Sequence, residues 1–167
     1  MPNIIYDDIT KSNADYICHQ VNCQGVMGSG VAKAIRDKWP QVYEEYKKFF
    51  EDTRNRLLSY YTLKIPPIDV SQHILGQIQK IEVDPHNAKY VINMFAQEWY
   101  GYDGVRYTSY DAFWECLHHI KETARPKSTI AFPYKIGCER GGANWNIIST
   151  MIEEVLKDFK IEYWRYN

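Results

Sequence analysis

Two glycine-rich stretches carry the first sign of chemistry in this chain. Gly25, Gly28 and Gly30 fall within six residues, directly after the apolar run Tyr16 to Val21 and directly before a helix-like pattern. Gly137, Gly141 and Gly142 punctuate a second stretch, between the strand-like run ending at Phe132 and a helix marked by Trp145, Ile148, Met151, Ile152 and Val155. Glycine lets main-chain N–H groups converge and lets a ligand approach with no Cβ in the way. Where such a turn opens a helix, those amides meet the positive end of the helix dipole. The chemistry implied is anion binding by main chain, with no lysine needed in the first loop. A few charge-assisted amide bonds of about 1.5–3 kcal/mol each reach the roughly −8 kcal/mol of a micromolar ligand. Two such loops on one edge of a sheet would grip a diphosphate from both sides, and open α/β sheets bind ligands at the carboxyl ends of their strands.

Other phosphate-binding signatures do not fit. A P-loop needs G-x-x-x-x-G-K-[ST], which is absent. A dinucleotide fingerprint begun at Gly28 and Gly30 would need a third glycine where Lys33 stands, and no acidic residue ends a following strand about 20 residues on. Cys18, Cys23, Cys116 and Cys138 are scattered and form no C-x-x-C pair. His118 and His119 are adjacent, so on a helix they point in different directions. No metal and no cofactor is expected, and the plain expectation is a reduced, cytoplasmic protein. A net charge of −1 leaves nothing to steer the whole molecule to nucleic acid or a membrane. No apolar run approaches the ~18 residues a membrane span needs.

The elements that would hold these loops follow from periodicity. The 167 residues suffice for one domain, residues 1–167, and no linker or repeat divides them. Strands are expected at Asn3 to Tyr6, 16–21, 58–64, 74–83, 89–95, Ser128 to Phe132 and 160–166. Helices are expected from Val31 to Lys38, again from Pro40 through Val42, Tyr43, Tyr46, Phe49 and Phe50, after an N-cap near Thr108 and Ser109, and after Asn144. Asp84-Pro85-His86-Asn87 reads as a turn between two strands. Strands alternating with helices, plus an extra strand cluster in the middle, imply an α/β fold with a mixed sheet and helices on both faces.

Four stretches also resemble one family, the macrodomains, which bind ADP-ribose. "YDDIT" at 6–10 is similar to the family's G-D-I-T segment. "VNCQGVMGSGVAKAI" at 21–35 is close to its first phosphate loop, and "YVINMFAQ" at 90–97 resembles its central strand exit. "FPYKIGCERGGANW" at 132–145, with "MIEEVL" at 151–156, resembles the second loop and its helix. The likeness spans about residues 3–166 and looks closest to small stand-alone domains of the terminal ADP-ribose glycohydrolase and ADP-ribose 1″-phosphate phosphatase types. It implies a three-layer α/β/α fold with a central mixed, mostly parallel sheet. The implied partner is ADP-ribose or a derivative, including ADP-ribosylated protein, and a monomer is expected; ADP-ribose linked to nucleic acid ranks lower, since the chain shows no basic stripe to hold a strand.

The resemblance also assigns roles. Asp8 would accept the adenine amine, with Ile9 beside it. Asn22 would meet the distal ribose. Gly25, Val26, Met27, Gly28, Ser29, Gly30 and Val31 would form one phosphate wall. Lys135, Ile136, Gly137, Cys138, Glu139, Arg140 and Gly141 would form the other, with Gln97 at the central strand exit. Trp164 or Tyr166 would stack on adenine. The glycohydrolase type has a lysine after the central strand and an aspartate in the second loop. Here those regions read Met94-Phe95-Ala96-Gln97 and Cys138-Glu139-Arg140-Gly141, with Asn144 where relatives carry an acid. The spacing His19-x-x-Asn22-Cys23 resembles the phosphatase type. His19 is then the first candidate for proton transfer, and Asp103 the second. The function expected is hydrolysis of a bond at the distal ribose, or ADP-ribose binding without catalysis.

Overall fold

The run Tyr16 to Asn22 carries apolar residues on both sides of the chain, and it becomes a buried inner strand of the sheet. The computed structural model describes residues 2–28, 30–60, 69–101 and 103–166. Strands β1 (Asn3–Ile5), β2 (Tyr16–Asn22), β3 (Ile78–Asp84), β4 (Lys89–Gln97), β5 (Thr129–Pro133) and β6 (Lys160–Trp164) form one sheet in the order β1-β6-β5-β2-β4-β3. Only the edge strand β3 runs antiparallel, joined to β4 by the Asp84 turn. There Asp84 Oδ1 accepts from the main-chain N–H of His86 at 3.1 Å. The sheet is therefore mixed and mostly parallel.

Alternation along β2 sorts the two cores. Ile17 and Val21 pack with Val91, Phe95 and Ala131 beneath α1 (Gly30–Lys38) and α2 (Pro40–Tyr60). Tyr16 and Cys18 pack with Ile92, Met94, Ile130 and Phe132 beneath α4 (Tyr110–Thr123) and α5 (Trp145–Val155). The short α3 (Ser71–Ile74) and a 3-10 turn, Ile9–Lys11, complete the first layer. Ser109 caps α4 by accepting from the Ala112 N–H at 3.1 Å. Asn144 caps α5 through the N–H groups of Asn146 and Ile147. Both caps fall where the sequence places them.

Three expected strands need correction. Residues 58–60 continue α2, because Val42, Tyr46, Thr53 and Leu57 form one buried stripe at helical spacing. The rest of that span, 61–64, lies outside the described residues. Within 74–83, the first residues close the α3 turn, Gly76 breaks it at φ +91°, and β3 begins only at Ile78. The last strand stops at Trp164, after which Arg165 donates its N–H to Ile5 O.

Candidate functional site

β2 and β5 are parallel neighbours, in register at Tyr16↔Ile130 and Ile17↔Ala131. Each ends in a glycine loop at the same edge of the sheet. From β2 the chain passes to α1 on one face, and from β5 it passes to α5 on the other. Divergent exits from adjacent strands open a crevice between them, the place where α/β sheets take ligands. A cleft of about 400 Å³ lies there, walled by residues of both loops.

The first wall is held from behind. Asn22 Oδ1 accepts from the Gln24 N–H at 3.0 Å and from the Tyr46 hydroxyl at 2.8 Å, and Asn22 Nδ2 donates to Val26 O at 2.8 Å. Gly25, at φ +80°, gives its N–H to the Tyr46 oxygen and faces α2 rather than the cleft. Val26, Met27 and Gly28 then reach the cleft, followed by Gly30, Val31 and Ala32, the first residues of α1. The main-chain N–H groups of Met27 and Gly28 have no partner among the described residues. The opening amides of a helix have none within it either. Ser29 lies outside the described residues.

The second wall is two turns end to end. Ile136 N–H donates to Pro133 O and Cys138 N–H to Lys135 O, with positive φ at Lys135 (60°) and Gly137 (74°). A lysine in the left-handed region is strained, and strain of this kind gathers at functional loops. The segment 105–108 clamps the loop from outside. Tyr107 and Thr108 both donate their N–H to Gly141 O, and the Thr108 hydroxyl donates to Gly137 O at 2.8 Å. A Cβ on Gly141 would collide with Thr108 Oγ1 and with the main-chain oxygen of Gly137. That glycine is thus demanded by packing as much as by a ligand. Gly137, Glu139 and Gly141 keep main-chain N–H groups without a partner among the described residues.

The structure therefore brings together His19, Asn22, Val26, Met27, Gly28, Gly30, Val31, Gln97, Lys135, Ile136, Gly137, Glu139, Arg140 and Gly141 around one cleft. Other expected residues stand apart from it. Asp8 caps the 3-10 turn, its Oδ1 accepting from the N–H and hydroxyl of Thr10 at 2.9 and 2.8 Å, and Ile9 is core. Cys138 turns toward the α5 core, and burial pushes its thiol up to about 11. Asp103 is exposed. The Tyr107 hydroxyl donates to it at 2.8 and 2.9 Å, and that bond, first among its partners, holds the carboxyl below its ordinary value. Trp164 packs on the α1/α2 core and donates to Glu162, while Tyr166 is 78% exposed.

His19 is 1% exposed and yet lines the cleft. Burial drives its pKa down to about 4, so the ring is neutral near pH 7, although its bond to Asn93 works the other way. Cys23 is buried too, and burial pushes its thiol up to about 12; nearby loop amides do not make it a thiolate.

Gln20, Tyr100, Gly101 and Tyr134 also line the cleft and carried no assignment from sequence. Gln20 had a signal: a polar residue late in a buried strand wants a partner. Its Nε2 donates to Gln97 Oε1 at 2.7 Å and to Thr108 Oγ1 at 2.8 Å, tying β2 to β4 and to the clamp on the second loop. Among the described residues, no three His, Cys, Asp or Glu side chains gather to hold a metal ion, and no helix is long and apolar enough to cross a membrane.

A family model described as the Macro domain matches residues 18–152. A crystal structure of a Bacteroides thetaiotaomicron protein shares 25% identity at a TM-score of 0.75, covering 99% of each chain. The macrodomain of Thermus aquaticus DarG follows at 21% identity and 0.69, covering 100% of this chain and 98% of its own. A Trypanosoma brucei macrodomain in complex with ADP-ribose superposes at 0.60 with 15% identity, covering 98% of this chain and 62% of its own. No curated protein matches the sequence.

Proposed function

We propose that this chain, which belongs to the Macro domain family, binds ADP-ribose or a derivative in the cleft between its two glycine loops. One observation carries the proposal: both loops leave adjacent parallel strands at one sheet edge and line a common cleft with residues whose main-chain N–H groups have no partner among the described residues. A diphosphate there meets the opening turn of α1 on one side and the Gly137 turn on the other, where anions are stabilised without a lysine. Lys135 adds a cation at the second wall. The Asn22 side chain, largely spent on holding its own loop, acts here as a staple for that wall. Calorimetry against ADP-ribose, ADP, AMP and NAD tests the proposal. Micromolar binding of ADP-ribose, tighter than of AMP, is expected; no heat with any of the four overturns it.

A second reading, hydrolysis at the distal ribose, draws support from His19 and Glu139 lining the same cleft. Water would add across the scissile bond, releasing phosphate from ADP-ribose 1″-phosphate or a freed side chain from ADP-ribosylated protein. The geometry favours binding over turnover. The ring of His19 is a weak base when held neutral by burial, Asp103 is engaged by Tyr107 outside the cleft, and no lysine follows β4. Incubation with both substrates separates the two, since released product from either would establish an enzyme. The partner proposed is free or protein-linked ADP-ribose, and the chain is proposed to act as a cytoplasmic monomer.

A further inference from the structure

Beneath α1 and α2 runs a polar chain with a fixed direction. His19, Asn93 and Gln79 are cross-strand neighbours on β2, β4 and β3. The far end is the main-chain oxygen of Glu45 on α2, which accepts from Gln79 Nε2 at 2.9 Å. A carbonyl can only accept, so Gln79 must turn its Oε1 the other way. Asn93 Nδ2 donates to that oxygen at 3.1 Å. Asn93 therefore offers Oδ1 to His19 Nε2, 2.5 Å away. The nitrogen facing a carbonyl oxygen carries the proton, and a neutral imidazole has only one. Nδ1 is left with a bare lone pair.

That lone pair is buried and has no partner among the described residues. Buried polar atoms without partners are rare and costly, and His19 lines the cleft. We infer that His19 Nδ1 is a fixed acceptor just under the cleft floor that, once the lining shifts around the bound ligand, takes a hydrogen bond from a sugar hydroxyl and disfavours an anionic oxygen at that point. This inference rests on the ADP-ribose reading. Of that ligand's groups, the hydroxyls and the adenine amine donate, while ionised phosphate oxygens only accept. His19 sits three residues before Asn22 on β2 and lines the cleft between the two glycine loops, within reach of a sugar joined to a diphosphate held by those loops. A hydroxyl fits there, and a flat base does not need to. One residue thus sorts ligands by the direction of a single hydrogen bond, a task the amides, which only donate, cannot perform.

The test is a two-bond proton–nitrogen NMR spectrum of histidine-labelled protein, with the His19 ring assigned by its loss in His19→Gln. The free protein should show His19 at neutral pH as the Nε2–H form with an unprotonated Nδ1. Adding ADP-ribose should move the Nδ1 resonance, and adding inorganic pyrophosphate should not. In calorimetry, His19→Phe should weaken ADP-ribose by about tenfold and pyrophosphate by less than about twofold, with partial rescue in His19→Gln. A protonated Nδ1 in the free protein overturns the inference. So does a stationary Nδ1 while the cleft amides shift with ADP-ribose. If no amide shifts at all, the ADP-ribose reading fails, and this inference falls with it.

Discussion

The Tyr46 hydroxyl on α2 stands 2.8 Å from both the main-chain oxygen and the side-chain oxygen of Asn22, and it accepts the N–H of Gly25 at 3.0 Å. A buried phenol on a helix thereby fixes the first loop of the cleft at two points. Burial keeps that phenol far above its ordinary pKa, so it remains a donor throughout the working range. Tyr46→Phe should strand the Gly25 N–H and cost about 1–3 kcal/mol of stability by urea unfolding. ADP-ribose affinity should fall as well, because the wall loses its backing; unchanged affinity would show the loop to be rigid without it.

Gly141→Ala should damage the second wall from the other side. The added methyl collides with a main-chain oxygen, so backbone must move and not merely a rotamer. An overpacked site of this kind costs about 1–3 kcal/mol. Calorimetry should show ADP-ribose weakened by tenfold or more on the scale of about 1.4 kcal/mol per decade. Gly30→Ala meets no neighbour within 4 Å and carries only the strain of φ +61°, so it should be the milder change.

Asp103→Asn should leave ADP-ribose binding within about twofold of the parent, as expected of an exposed side chain away from the ligand. Its carboxylate serves Tyr107 and the Val105 N–H. A large loss of affinity would place the 103–107 turn against the ligand.

Stability should rise with pH through the range set by His19. Its folded pKa is depressed by burial from 6.5 to about 4, so the unfolded chain binds the proton more readily. The contribution is present above about pH 6.5 and is lost as pH falls toward 4, amounting to about 3 kcal/mol. Urea midpoints at pH 7 and pH 5 should differ more for the parent than for His19→Gln. Equal differences would mean that the ring is not desolvated.

Gln79→Leu should release the direction of the polar chain. With no acceptor beyond it, Asn93 can flip its amide and present Nδ2 to the histidine. The histidine spectrum should then show both neutral tautomers, and ADP-ribose affinity should fall although Gln79 lies outside the cleft. A single unchanged tautomer would mean that the carbonyl of Glu45 sets nothing.

Much of the architecture was legible because it is local. The caps Ser109 and Asn144, the break before Pro40 and the Asp84 turn each express short-range chemistry that composition reveals. The two glycine loops were legible as loops, and the alternation of strand and helix put them on one edge. The end of α2 was misread because Leu57, Leu58 and Tyr60 suit a strand as well as a helix; only the stripe from Val42 decides, and it depends on what covers that face. The roles of single side chains were the least legible. Asn22 and Asp8 have the right types to touch a ligand, and each also holds its own loop, Asn22 by donating to Val26 O and Asp8 by accepting the Thr10 N–H. Gln20 reaches Gln97 and Thr108 across 77 and 88 residues, and Thr108 reaches Gly137 in the second loop across 29, contacts that no local pattern encodes.

Loops that offer the ligand main-chain N–H groups have one more consequence. Such donors neither titrate nor carry an atom that acetylation, methylation or phosphorylation can alter. At those main-chain contacts the protein presents no titrating group and no atom open to covalent editing; lining side chains such as Lys135 and His19 differ in this respect. Control of these contacts must therefore act on the supply of ligand, or on the shape of the loops through the strap at 105–108 and the phenol behind Asn22.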